Sequence, residues 1–194
     1  MNYLFIGFHS IREGLGTGHI VRLKNIINSL DSFRKKRESK CFFITNDDEY
    51  SEQYQLKQVD NFQDASQAAK ELLKEETIDV VVFDCLAYCQ DLYEKCKDEN
   101  LFTLGIDTSL EASKKLDLLI NPVISNNFSF LEGPMYSLHY EDQCPQEKAV
   151  LSQSKSIFVC FGGIDYRGHL KKLLPLLSSI SKSCTFNVVT SNDE

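Results

Sequence analysis

The sequence predicts an α/β fold built on parallel sheets, and three observations carry the prediction. Short apolar, β-branched runs alternate with segments of helical period along most of the 194 residues. A glycine-rich turn, Gly14-Leu15-Gly16-Thr17-Gly18, joins the first apolar run to the first helical segment. Two inner apolar runs end in an acid, Asp84 and Asp107. Strands alternating with helices make βαβ units, and their crossovers give parallel sheets. A polar stretch without period separates a long first group of elements from a short second group. Two Rossmann-like lobes are therefore expected, residues 1–124 and 154–194, joined by a linker over 125–153, with the second lobe incomplete in this chain.

Tyr3 to Phe8 reads as the first strand, and Ile20, Leu23, Ile26 or Ile27, and Leu30 mark one face of a helix. Ser32 to Lys40 reads as a charged, solvated connection. Cys41 to Thr45 is a second strand with a polar exit, and a short strand is expected around Leu56 to Val59. From Asp64 the period becomes helical through Ala65, Ala68 or Ala69, and Leu72 or Leu73. Ile78 to Phe83 carries the strongest strand signal, apolar apart from Asp79 and so suited to a parallel strand covered on both faces. A helix over Cys89 to Glu99, a strand over Leu101 to Ile106 and an apolar run over Leu116 to Ile120 follow. Beyond the linker, which holds Gly133-Pro134 and Pro145, Ile157 to Phe161 is a strand. Leu170, Leu173, Leu174 and Leu177 mark a helix, and Phe186 to Val189 a last strand.

A glycine turn between a buried strand and a helix start lets backbone N–H groups approach an anion, which the helix dipole favours. The dinucleotide fingerprint G-x-G-x-x-G is not met: His19 follows Gly18 and no third glycine stands at the required offset. A dehydrogenase reading fails on that ground. His19 in the first helical turn is a candidate general base, because the dipole disfavours a cation there. Equally, His19 could cap the loop, and Arg22 could support phosphates or pair within the lobe. In open parallel sheets ligands bind outside the carboxyl ends of the strands. Gly16, Gly18, His19, Arg22, Asp84, Asp107 and Asn121 all fall on that edge and are candidate site residues. Asp84 and Asp107 have an alternative as helix caps, and Asn121-Pro122 as a turn pair.

Composition excludes several classes. Lys+Arg of 21 against Asp+Glu of 28 gives a net charge of -7, against general nucleic-acid binding. No apolar run approaches the ~18 residues of a membrane span. The seven cysteines lack zinc-site spacing and suit free thiols in a reducing compartment, so a cytoplasmic location and no metal are expected. No cofactor is expected. His9, His139 and His169 read as surface or turn histidines. Oligomeric state is not written in the sequence.

Gly16-Thr17-Gly18-His19-Ile20-Val21-Arg22, then Asp84, Ile106-Asp107, Leu119-Ile120-Asn121, Gly133-Pro134-Met135-Tyr136-Ser137-Leu138 and Phe161-Gly162-Gly163-Ile164-Asp165 form an ordered set. Their order and spacing resemble the UDP-sugar hydrolase of the pseudaminic acid pathway, within the glycosyltransferase-B group that includes the spore-coat polysaccharide proteins. The resemblance runs along the whole chain, which spans about the first two-thirds of that family's length. It implies cleavage of a UDP-linked acetamido sugar to free sugar and UDP, with His19 as base. It places Gly162, Gly163 and Asp165 at the nucleotide. The family's Asp-His-Tyr is here Asp84-Cys85-Leu86, with Tyr88 as the candidate substitute for the missing hydroxyl, and its paired acids are here Asp107-Thr108. Two other readings use the same residues. One is a glycosyltransferase in which His19 deprotonates an acceptor hydroxyl, and the other is a non-catalytic nucleotide-sugar-binding chain.

Overall fold

Strands buried on both faces read as near-continuous apolar runs, and the inner strands of this chain do so, with polar residues chiefly at their ends. In the computed structural model, which describes residues 1–8, 18–34, 39–47, 54–84, 90–107, 115–121, 131–133, 136, 156–160, 165, 168–180 and 184–189, these strands form the middle of one parallel sheet. Its members are β1 (Tyr3–Gly7), β2 (Cys41–Thr45), β3 (Gln55–Gln58), β4 (Val80–Asp84), β5 (Phe102–Ile106), β6 (Leu118–Asn121) and β7 (Leu131–Glu132). The order is β3-β2-β1-β4-β5-β6-β7, every neighbouring pair parallel. A separate two-stranded parallel sheet pairs β8 (Ser156–Val159) with β9 (Thr185–Val188), and the helix between them is α4 (His169–Ile180).

Alternate residues of each strand feed opposite faces. Phe5, Phe43 and Val82 face α1 (Gly18–Arg34), meeting Ile20, Leu23 and Ile27. Leu4, Ile6, Ile44, Val81 and Phe83 face the other way, onto Ala65, Ala69 and Leu73 of α2 (Phe62–Glu75) and Leu92, Tyr93 and Cys96 of α3 (Gln90–Asp98). The Phe83 and Tyr93 rings lie 4.5 Å apart. At α2 the start signal is Asn61, whose side chain accepts the Asp64 N–H at 3.0 Å.

Gly7 sets how closely α1 approaches the sheet. It is the register partner of Asp84, and a Cβ at Gly7 would lie 2.5 Å from Leu23 Cδ1, itself fully buried. The glycine therefore lets α1 lie against the ends of β1 and β4.

Two expectations are revised. The first helix begins at Gly18 and runs to Arg34, into the stretch read as a charged connection, because arginine is among the better helix formers. Leu131–Glu132, inside the stretch read as a linker, is a strand paired with β6; two residues are too few to leave a period. Asp84 closes the fourth strand, at the carboxyl end where the sequence reading expects it. The free cysteines of the described residues are Cys41 and Cys96, both buried, with Cys160 and Cys184. Among the described residues no helix is long and apolar enough to cross a membrane.

Leu23→Ala should destabilise the chain by about 2–5 kcal/mol, since it removes buried methyls and leaves a cavity under α1. Asn61→Ala should cost about 1 kcal/mol through the lost cap. Urea titrations followed by circular dichroism check both; a midpoint unchanged in either variant would contradict the packing or the cap.

Candidate functional site

The sheet order reverses between β1 and β4. From β1 the chain moves outward through β2 to β3, and from β4 it moves the opposite way to β5 and β6. Such a point opens a crevice beyond the carboxyl ends of the two strands. Asp84 is the last residue of β4 and lies there, fully buried. The first turn of α1 brings His19 to the same place, and one turn later comes Arg22, as i, i+3 spacing on a helix requires.

His19 Nδ1 lies 2.5 Å from Asp84 Oδ1. Arg22 grips the same carboxylate with both arms of its fork, Nε to Oδ2 at 2.9 Å and Nη2 to Oδ1 at 2.7 Å. Bidentate pairs of this kind are among the strong charge-assisted hydrogen bonds. The Arg22 fork also reaches Asp107 Oδ2, both terminal nitrogens at 3.5 Å. Nη2 further lies 3.0 Å from His19 Nδ1. A hydrogen on Nδ1 donated to Asp84 would leave that nitrogen no lone pair with which to accept from Arg22. Burial works against the Arg22 charge, yet the hydrogen bonds and charge of Asp84, and then of Asp107, outweigh it and raise the guanidinium above its ordinary value.

Asp107 follows β5, its carboxylate half-exposed, and its backbone is left-handed at φ 50. Aspartate tolerates that region better than most residues, at a cost of about 1 kcal/mol. Its N–H donates to Ile120 O at 3.1 Å, which ties the turn to β6.

Of the residues expected from sequence, His19, Arg22, Asp84 and Asp107 are thus brought together. Gly18 opens α1 and is exposed. Asn121 closes β6 at the same edge of the sheet. Gly16, Tyr88, Gly162 and Gly163 lie outside the described residues. Asp165 is a helix cap: it accepts the His169 N–H at 2.9 Å and the Leu170 N–H at 2.6 Å at the start of α4. The Leu170 N–H, aided by that of His169, holds its carboxyl below the usual carboxylate range. Sequence reading passed over Asn25, one turn beyond Arg22. It is buried between apolar helix positions, and no hydrogen-bond partner meets its Oδ1. Among the described residues no group of three or more His, Cys, Asp or Glu side chains is arranged to hold a metal ion.

No family model matches the chain. No curated protein matches it significantly. Among solved structures, the crystal structure of Acinetobacter baumannii MurG is similar, with a TM-score of 0.56 at 9% identity, covering all of this chain and 69% of that one. At such low identity the likeness speaks of fold alone: the chain has an α/β architecture of the glycosyltransferase-B type, with a seven-stranded parallel sheet and a separate two-stranded parallel sheet among the described residues.

Proposed function

We propose that this chain acts on a nucleotide sugar, with His19 as the general base of glycosyl transfer. His19 Nε2 takes the proton of an acceptor hydroxyl as that oxygen bonds to the anomeric carbon. The bond from that carbon to the diphosphate breaks, and the nucleoside diphosphate leaves with the electron pair. The observation that carries the reading is the buried pair of His19 and Asp84 at the switch point of a parallel sheet, where fold logic puts a ligand. The fold shared with MurG is of the glycosyltransferase-B type, the architecture that the motif resemblance to nucleotide-sugar enzymes implies.

In this reading the turn holding Gly16 and Gly18 offers backbone N–H groups to the substrate, while Asp107, Asn121 and Tyr88 border the sugar. Gly162 and Gly163 approach the nucleotide. Asp165 shapes that second turn, because a carboxylate already seated on the α4 N–H groups repels a phosphate. A second reading replaces the acceptor hydroxyl with water. It is favoured by the order of the G-x-G-H-x-x-R and G-G-x-D motifs, which resembles the UDP-sugar hydrolases of pseudaminic acid synthesis. The cytoplasm, where nucleotide sugars are made, suits both readings.

The test is UDP binding and UDP release by the purified chain with a panel of UDP-amino sugars, run with and without sugar acceptors. Release that requires an acceptor is the expected result, and release without one selects the hydrolase. In either case His19→Ala should slow release by about 10²–10⁴-fold with little change in UDP binding. Full release in His19→Ala would remove the histidine from the chemistry. Absence of both binding and release would overturn the reading.

A further inference from the structure

A buried carboxylate must be matched by one positive charge, and among the described residues two side chains are in reach to supply it. Asp84 is fully buried, with Arg22 on both of its oxygens and His19 on one. The imidazole could provide the charge only by binding a second proton at Nε2, and then Nε2 would have no lone pair to act as base. Arg22 cannot lose its charge in a protein.

We propose that Arg22 is a positioning residue: it is the resident counter-charge of Asp84, and by filling that role it leaves His19 neutral, with its lone pair on Nε2. The proposal rests on His19 being the base of the reading above and explains how the site keeps it usable. It also assigns Arg22 away from substrate phosphate. Its Nε and Nη2 are committed to Asp84, and its terminal nitrogens face Asp107 as well. A substrate phosphate on the same fork would compete with two carboxylates already there. The charged groups about the imidazole among the described residues come from three elements: Arg22 on α1, Asp84 on β4, and Asp107 after β5, which meets the same guanidinium.

The experiment is nitrogen NMR of the chain labelled at histidine with ¹⁵N, at neutral pH and without substrate. Couplings from each ring nitrogen to the carbon-bound ring protons identify which nitrogen carries hydrogen. Loss of one signal set in His19→Gln assigns His19 among the four histidines. In the wild type, Nδ1 should be protonated and Nε2 bare. Arg22→Gln should protonate both nitrogens, and Arg22→Lys, which restores the charge, should return the wild-type pattern. Arg22→Gln combined with Asp84→Asn removes both charges and should again leave a neutral ring. A doubly protonated His19 in the wild type, or a bare Nε2 persisting in Arg22→Gln, overturns the proposal. Should Arg22→Gln not fold, the wild type and Arg22→Lys decide it, since a charged ring in either is fatal. None of these readings needs turnover. A neutral ring in a chain that neither binds nor releases UDP would therefore sink the nucleotide-sugar function while leaving this role of Arg22 intact.

Discussion

Water cannot reach the carboxylate of Asp84, and much of the molecule is arranged around that fact. An ionised group without solvent is tolerated only when its partners are close, charged and numerous. Those partners come from α1, which must sit low enough on the sheet for the first two turns to meet the end of β4. Leu23, Ile20 and Ile27 press the helix down, and Gly7 leaves room for Leu23 to do so. The pairing of Gly7 with Asp84 in the ladder fixes the carboxylate directly beneath the helix start. Packing and electrostatics thus constrain one another: the apolar contacts bring the charges together, and the charges lock the rotation of the helix.

The same arrangement gives the site its place. The side chains that converge there come from the first helix, from the fourth strand and from the turn after the fifth. They are neighbours because the sheet runs outward in both directions from β1 and β4. A crevice at such a point belongs to no single element, so its chemistry can change while the scaffold stays. A likeness in fold at 9% identity therefore leaves the substrate to be read from the side chains.

Sequence reasoning found the strands because each inner one is apolar over consecutive residues, and it found the edge of the sheet because Asp84 and Asp107 stand at strand ends. It placed His19 at a helix start from the glycines before it. What it left open was who pairs with whom. Arg22 and Asp84 are 62 residues apart, and nothing local marks an arginine as the partner of an acid at that distance. Two roles for Arg22 were equally compatible with its spacing from His19, and the fork geometry bears on the choice where spacing could not. Asp165 illustrates the reverse. A motif suggested nucleotide contact, while its carboxylate turns back onto its own helix, a local preference of aspartate that a motif does not reveal. The short strand β7 escaped because two residues leave no alternation to detect.

The borders of the sheet have a consequence for how copies of the chain meet in concentrated solution. An unpaired strand flank is a template on which another chain can add, and long apolar flanks nucleate fibrils. Here one border is β3, Gln55-Leu56-Lys57-Gln58, with three of its four side chains exposed and a lysine among them. The opposite border, β7, is two residues long and ends in Glu132. The apolar strands that would propagate such growth, β1, β2 and β4, are all interior. Among the described residues, lateral accretion through this sheet is thus disfavoured at both borders, by the exposed lysine of β3 at one and by the shortness of β7 at the other.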